Sequence, residues 1–203
     1  MIESERKIVF SNKRELTKSN NRSLIITSGI NVFVEKGVAE ATVRDIIRST
    51  GLASGTFYNY FNSKEEVLVA IFDDFAKEIG KSVRDENVQP ESFEEFLRIK
   101  LTRFFKFVSS KPEIYMIMSN NHNLVNNFSI NTPQIILEID YLKEEIKDGI
   151  KKGIFPNFDV DLFALVIRPI TDAVAQEMIA QKKININKYT EKCINFLIRG
   201  IGV

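Results

Sequence analysis

The sequence has few of the residues that build disulfide-bonded or metal-binding proteins. Its 203 residues contain one cysteine, Cys193, one histidine, His122, and no tryptophan. One cysteine cannot form an intrachain disulfide framework, and one histidine cannot supply the pair of imidazoles used in many zinc sites. Cys193 lies in an apolar stretch, which favours a small buried thiol over a nucleophile. We therefore predict no metal site and no cofactor.

Signatures of catalysis and of membrane insertion are missing as well. The chain has no glycine-rich phosphate loop, and none of its carboxylates stands out as a catalytic pair, so we do not expect an enzyme. It has no uninterrupted apolar run of about 18 residues that could cross a membrane. The first ten residues, MIESERKIVF, lack the apolar core of a secretory signal. We expect a cytoplasmic protein.

The charge of the chain is small in total but unevenly distributed. The net charge is +1, yet residues 1–64 contain ten Lys and Arg against six Asp and Glu. The remaining residues contain eighteen basic and twenty-one acidic side chains. A basic N-terminal part and a mildly acidic remainder fit a protein whose N-terminal end faces nucleic acid.

The N-terminal part contains the signals of two short helices joined by a tight turn. Thr42 and Asp45 form a capping box for a helix that begins near Val43. Gly51 suits the left-handed conformation that ends such a helix, and Ser54 is the predicted cap of a second short helix. A further box, Ser63 with Glu66, predicts a third helix directly afterwards.

The second short helix has two different faces. Phe57 and Phe61 are four residues apart and lie on one side. The other side carries hydrogen-bonding groups, namely those of Thr56, Tyr58, Asn59 and Tyr60. An outward polar face on the second of two short helices is typical of the helix-turn-helix.

Residues 22–72 resemble the N-terminal domain of the tetracycline-repressor (TetR) family of bacterial transcription regulators. The matching segments are FVEKG at 33–37, ATVRDI at 41–46 and GLASGTFYNYFNSKEEVL at 51–68. The resemblance implies a homodimeric regulator, a repressor, that binds a palindromic operator in double-stranded DNA. It also implies that the remaining chain forms the dimer and a pocket for an effector.

The resemblance also implies the residues that face DNA, position by position. They are Thr42, Val43, Arg44, Ser54, Gly55, Thr56, Tyr58, Asn59, Tyr60 and Lys64. Asn59 and Tyr60 are the candidates for base contacts, whereas Lys64 is expected to contact a phosphate. A histidine is common in the family where this chain has Tyr60, so an operator sequence cannot be transferred. The structural alternatives are that Tyr60 packs and that Lys64 is a solvated charge.

We predict an all-α fold of about nine helices in three segments. Residues 1–18 form an N-terminal extension, residues 19–64 a helix-turn-helix DNA-binding domain, and residues 65–203 a helical effector-binding and dimerisation domain. Lys13, Arg14 and Lys18 could form a basic arm, although a frayed terminus is the favoured interpretation. The first helix is expected from Ser19 to Lys36 and the last from Lys188 to Arg199, capped by Asn187.

The C-terminal part carries the candidates for effector binding and dimerisation. Aromatic and polarisable side chains that could line an apolar pocket are Phe104, Phe107, Tyr115, Met118, His122, Phe128 and Tyr141. The alternative is that they fill the core. The last two helices leave few polar positions, with apolar residues at Leu162, Phe163, Val166, Ile167, Ile170, Val174, Met178, Ile194, Leu197, Ile198 and Ile201, so we expect them to form a homodimer interface.

Two functions remain open at this point. The first is a DNA-binding regulator that a small apolar or amphipathic effector releases from its operator. The alternative is a dimeric DNA-binding scaffold that has no small-molecule effector.

Overall fold

The computed structural model describes residues 2–84, 88–121 and 133–200, with side chains from Arg14 onward. Within these ranges the chain forms eight α-helices and one 3-10 helix, without strands, which confirms the predicted all-α class. The α-helices are α1 (Ile2–Glu40), α2 (Val43–Arg48), α3 (Lys64–Val83), α4 (Phe93–Ser110), α5 (Pro112–Asn120), α6 (Pro133–Lys151), α7 (Val160–Ile179) and α8 (Ile186–Gly200). The 3-10 helix, Ser54–Asn59, lies between α2 and α3.

The chain divides into two compact units, one up to Phe72 and one from Asp73 onward. The division falls within α3, eight residues after the boundary that the sequence suggested. That boundary, after residue 64, stays a prediction. In the part of the chain described above, no helix is long and apolar enough to cross a membrane.

In the first unit, α1 begins far earlier than the sequence predicted. It starts at Ile2 rather than Ser19, and the reason is local: no glycine or proline occurs before Gly29. At Gly37 the backbone leaves the helical region with φ 78°, so the predicted break is present, although helical turns resume and end at Glu40.

Close packing of α1 against α3 depends on Gly29. A Cβ atom at this position would lie 2.6 Å from Cγ1 of Val67, closer than two carbon atoms can approach. The hydrophobic core of this unit is completed by residues that are almost inaccessible to water, among them Ile25, Ile46, Phe57 and Val67. The two long helices therefore form a firm base for α2 and the 3-10 helix.

The capping box predicted at Ser63 is formed only in part. The N–H of Glu66 donates to Ser63 Oγ over 3.3 Å, but the Glu66 carboxylate accepts from the N–H of Asn62, at 2.8 Å. In the same way Glu95 donates to Ser92 and accepts from the N–H of Glu91. The carboxylate thus caps one residue earlier than a capping box requires.

The second unit is built on an aromatic core. Phe93 packs against three other phenylalanines, Phe155, Phe158 and Phe163, with ring centroids 4.9–5.6 Å apart. Asp159 caps α7, because its carboxylate accepts from the N–H of Leu162 at 2.9 Å. These contacts fix the first turn of α7 against α4.

The start of α8 differs from the prediction. The helix begins at Ile186, and the capping acceptor is Asn185 Oδ1, which receives the N–H of Lys188 at 3.0 Å. Asn187 was predicted as the cap but lies inside the first turn. Both asparagines suit a cap, so the sequence alone could not separate them.

Candidate nucleic-acid interface

The first turn of α2 is fixed by the predicted capping box. The N–H of Asp45 donates to Thr42 Oγ1 at 3.2 Å, and the N–H of Thr42 donates to Asp45 Oδ2 at 3.1 Å. The Lys36 ammonium donates to Asp45 Oδ1 at 2.7 Å. Together with the Thr42 hydroxyl, it holds the pKa of Asp45 at about 2, well below the ordinary value of an aspartate. The cap is therefore ionised and intact at neutral pH.

A buried serine on α1 sets the position of α2. Ser28 is 5 % exposed, and its hydroxyl donates to the backbone carbonyl of Ile46. It also shares a hydrogen bond with the hydroxyl of Ser49, directly after α2. Ile46 and Ile47 are buried, whereas Thr42 and Arg44 are exposed and Val43 is half-buried. Two of the three residues at the start of α2 that were predicted to face DNA are thus exposed at the surface.

The second helix of the motif is a 3-10 helix, and its predicted cap is wrong. The N-cap is Ala53, which has no side-chain acceptor, rather than Ser54. The turn closes through its backbone, since the N–H of Thr56 donates to the Ala53 carbonyl at 2.8 Å. Ser54 is therefore the first residue of the helix rather than its cap.

The two faces of the 3-10 helix are separated as the sequence predicted. Phe57 is fully buried and packs against Phe61, with ring centroids 6.0 Å apart. Its neighbour Tyr58 is 62 % exposed. Ser54, Gly55 and Asn59 are also exposed, and Thr56 is half-buried. The buried phenylalanine holds the helix, and the polar groups on the other side are presented to solvent.

Tyr60 and Asn21 form a contact that could not be predicted from the sequence. Asn21 Nδ2, on α1, donates to the hydroxyl of Tyr60 over 3.2 Å. Tyr60 is half-buried, so its side chain packs in part against the protein and remains in part accessible to solvent. The two residues are 39 positions apart, so no local pattern could pair them. Base contact by Tyr60 stays a prediction.

Lys64 is bound to backbone carbonyls at the end of α1. Its Nζ donates to the carbonyls of Val38, Ala39 and Ala41, at 2.8 Å in each case. Lys64 is half-buried at the first residue of α3. No local sequence pattern predicts this arrangement, because the three carbonyl partners lie 23–26 positions away from Lys64. The phosphate contact of Lys64 stays a prediction.

The predicted effector-binding residues are placed in different surroundings. Phe107 and Tyr115 both pack against Phe75, with ring centroids 5.1 and 6.4 Å away. Phe104 and Met118 are half-buried against the same core. Tyr141 is 47 % exposed and lies under the guanidinium of Arg84. His122 and Phe128 lie outside the described residues.

Two buried polar groups belong to this second unit. The Tyr115 hydroxyl donates to the backbone carbonyl and to Oδ1 of Asp172, at 3.1 Å each. Burial, together with the Asp172 charge, raises the pKa of Tyr115 above its ordinary value. Cys193 is 1 % exposed, and burial raises the pKa of its thiol to about 11. The thiol is neutral and inaccessible, as the apolar sequence around it predicted.

A cleft of about 560 Å³ opens in the same unit, near the start of α8. It is lined by Lys106, Gln181, Lys183, Ile184, Asn185, Ile186, Asn187, Lys188 and Tyr189. Tyr189 belongs to the hydrophobic core and Ile186 packs against it. The lining thus combines apolar side chains with three lysines, and it includes none of the five predicted effector residues that the structure describes.

The first unit matches a known family of proteins. Residues 25–71 match the family described as bacterial regulatory proteins, tetR family. The chain is 24% identical over 191 residues to the fatty acid metabolism regulator protein of Bacillus subtilis, covering 87% of this chain and 93% of that relative. The segment that matches the family, residues 25–71, contains α2, the 3-10 helix and all ten predicted DNA-facing residues.

Solved structures extend the similarity to the whole fold. A protein of Syntrophomonas wolfei assigned to the TetR family superposes with a TM-score of 0.72 at 25% identity, covering 92% of this chain and 97% of that one. FadR from Bacillus subtilis, solved in complex with stearoyl-CoA, gives a TM-score of 0.70 at 19% identity, covering 88% and 98%. These relatives are transcriptional regulators rather than enzymes. Among the residues described, no group of three potential ligands could hold a metal ion.

Proposed function

Because the chain belongs to the TetR family of bacterial regulatory proteins, we propose that it binds a palindromic operator as a homodimer and represses transcription until an effector releases it. DNA-binding regulation is the class of function that the family establishes. The observation that carries the finer proposal is the separation of faces on the 3-10 helix. Phe57 is buried while Tyr58 beside it is largely exposed, so the hydrogen-bonding side chains are free to enter a major groove.

The proposed DNA contacts are made by polar or charged side chains and by exposed backbone. Arg44 and Tyr58 are exposed charged or polar groups that suit phosphates or base edges. Asn59 is exposed and carries an amide that can pair with the edge of an adenine. Gly55 has nothing within 4 Å of the position where a Cβ would lie, so the backbone is open to a close approach of DNA.

Exposed apolar side chains on α7 and α8 support the proposed homodimer. Leu162, Leu165 and Phe196 are 56 %, 72 % and 62 % exposed. By contrast, Met178 and Leu197, which the sequence suggested for the interface, are buried within this unit. We assign the dimer interface to the three exposed residues, because soluble monomers rarely keep large apolar side chains exposed together.

The effector that we propose is a fatty acyl-CoA. Support comes from the similarity to the fatty acid metabolism regulator and to FadR, which was solved with stearoyl-CoA. It also comes from the cleft near α8, whose lining includes three lysines, Lys106, Lys183 and Lys188, together with Ile184 and Ile186. Cationic side chains suit phosphates, and apolar surface suits an acyl chain.

Binding-site selection from random duplexes tests the DNA part of the proposal. The purified protein should enrich an inverted repeat whose half-sites lie about one helical turn, roughly 34–36 Å, apart or a multiple of it. Enrichment of single, unpaired half-sites would contradict operator binding by a dimer. Lack of any enrichment would contradict specific operator recognition.

Release of the selected duplex by ligand tests the effector. Palmitoyl-CoA should lower the affinity for the duplex by about 5- to 150-fold, the usual range of allosteric coupling, whereas palmitate and free CoA should act more weakly. The double variant Lys183→Ala/Lys188→Ala should respond less to palmitoyl-CoA while binding the duplex normally. If none of the three compounds changes DNA binding, the alternative applies: a dimeric DNA-binding scaffold without an effector.

A further inference from the structure

The ammonium of Lys64 has its full set of hydrogen-bond partners inside the protein. An ammonium carries three N–H donors, and three carbonyl oxygens, those of Val38, Ala39 and Ala41, lie 2.8 Å from Nζ. A phosphate could be bound only if at least one of these bonds were broken. The geometry therefore opposes a direct DNA contact by this side chain.

The three carbonyls are ones that a helix end leaves without partners. They follow Gly37, where the backbone leaves the helical region: Val38 and Ala39 lie in the last turn of α1, and Ala41 comes directly after the helix. Carbonyls at the end of a helix carry partial negative charge and lack intrahelical donors. The Lys64 ammonium satisfies three of these carbonyls at once and holds them in one arrangement.

The clamped segment leads directly into the DNA-facing part of α2. Ala41 precedes Thr42, the N-cap of α2, and Arg44 lies in the first turn of that helix. Lys64 itself is the first residue of α3, which follows the 3-10 helix. Through one side chain, the entry to α2 and the exit from the 3-10 helix are thus joined.

We propose that Lys64 is a positioning residue, which holds the start of α2 in register with the 3-10 helix and does not bind phosphate. The inference rests on the proposed operator binding for its functional readout. It differs from the expectation drawn from the sequence, where Lys64 was a phosphate contact. The two roles predict different dependences of operator affinity on salt concentration in a Lys64 variant.

The test compares operator affinity across salt concentrations for Lys64→Met and Arg44→Ala. Each phosphate contact adds about 0.9 to the slope of log affinity against log salt. Lys64→Met, which keeps the aliphatic stem, should weaken binding on the order of tenfold and leave the slope unchanged. Arg44→Ala should lower the slope by about one. A slope lowered by about one in Lys64→Met would overturn the proposal.

A stability control separates positioning from a general loss of folding. Val67 is fully buried on α3 and lies beside Gly29 of α1, so Val67→Ala destabilises the same unit through lost packing. At a temperature where both variants are folded, Lys64→Met should lose more operator affinity than Val67→Ala for an equal or smaller drop in melting temperature. Equal loss for equal destabilisation would show that Lys64 is merely structural.

A measurement without DNA keeps the inference distinct from operator binding itself. The amide of Asp45 donates to Thr42 within the capping box. In Lys64→Met its hydrogen exchange should accelerate at least severalfold relative to the amides of buried α3 residues, because the segment before the cap is released. Unchanged exchange at Asp45 would overturn the clamp. Failure of the wild-type protein to select a duplex would refute the proposed function and leave this result intact.

Discussion

Asp45 and Lys36 form an ion pair that joins the first turn of α2 to α1, with Nζ 2.7 Å from Oδ1. The same carboxylate closes the capping box with Thr42. One side chain thus serves two purposes, since it caps the helix that leads the DNA-binding motif and ties that helix to its neighbour. Both interactions require the ionised form of Asp45.

The stability of the protein should therefore depend on the ionisation of Asp45. Its pKa is about 2 in the folded state and about 3.9 in an unfolded chain. A lowered carboxyl pKa stabilises the fold above the unfolded value, and this contribution is lost as the pH falls towards the folded value. The difference in melting temperature between wild type and Asp45→Asn should be constant from pH 7 to pH 5 and fall by about half at pH 3.

A matched variant checks the cause. Lys36→Met removes the leading cause of the low pKa, so the Asp45 carboxyl should titrate at higher pH when followed by NMR. A melting-temperature difference between wild type and Asp45→Asn that does not change down to pH 3 would contradict this account of the cap.

The capping box predicts unequal effects for two hydroxyl residues. Thr42→Ala removes the acceptor of the Asp45 N–H and should cost about 1 kcal/mol of unfolding free energy. Ser54→Ala removes a hydroxyl from a position that has no side-chain cap, so its effect should stay within about 0.5 kcal/mol. Chemical denaturation measures both. Equal costs for the two substitutions would mean that Ser54 does cap the 3-10 helix.

Neighbouring aromatic residues should separate folding from DNA binding. Phe57 is fully buried, so Phe57→Ala should destabilise the first unit by about 3–5 kcal/mol. Tyr58→Ala should leave the unfolding free energy nearly unchanged and weaken operator binding, because Tyr58 is 62 % exposed. Thermal unfolding and duplex titration of both variants test this. A Tyr58→Ala protein that binds the operator at full strength would contradict the proposed DNA-facing surface.

The dimer proposal predicts a specific disruption. Leu165 is 72 % exposed on α7, and Leu165→Glu should place a charge in the interface and produce monomers at micromolar concentration by sedimentation. Leu137→Glu is the control, since Leu137 on α6 is 43 % exposed but lies outside the proposed interface. Its substitution should leave the dimer intact. Wild-type protein that sediments as a monomer would refute the interface altogether.

The sequence predicted those features that depend on a few consecutive residues. The Thr42–Asp45 box and the turn at Gly51 are present because their causes, a side-chain acceptor three residues away and a positive φ, are local. The all-α class followed from helical spacing of apolar residues throughout the chain.

Features that depend on distant residues could not be predicted. The carbonyl partners of Lys64 and the bond between Asn21 and Tyr60 join residues more than 20 positions apart. The early start of α1 shows a different limit, because weak periodicity hid a stretch that lacks any helix-breaking residue. Burial of Met178 within its own unit also depends on how α7 packs against its neighbours, which spacing does not define.

The central claim is tested most directly by titrating the protein against the selected inverted repeat and against a scrambled duplex of equal length, between 50 and 200 mM salt. Specific recognition predicts an affinity for the inverted repeat at least about 10³-fold higher than for the scrambled duplex at physiological salt, and a salt slope that falls by about one unit in Arg44→Ala. Equal affinity for the two duplexes at every salt concentration would contradict the claim that this chain is an operator-binding regulator.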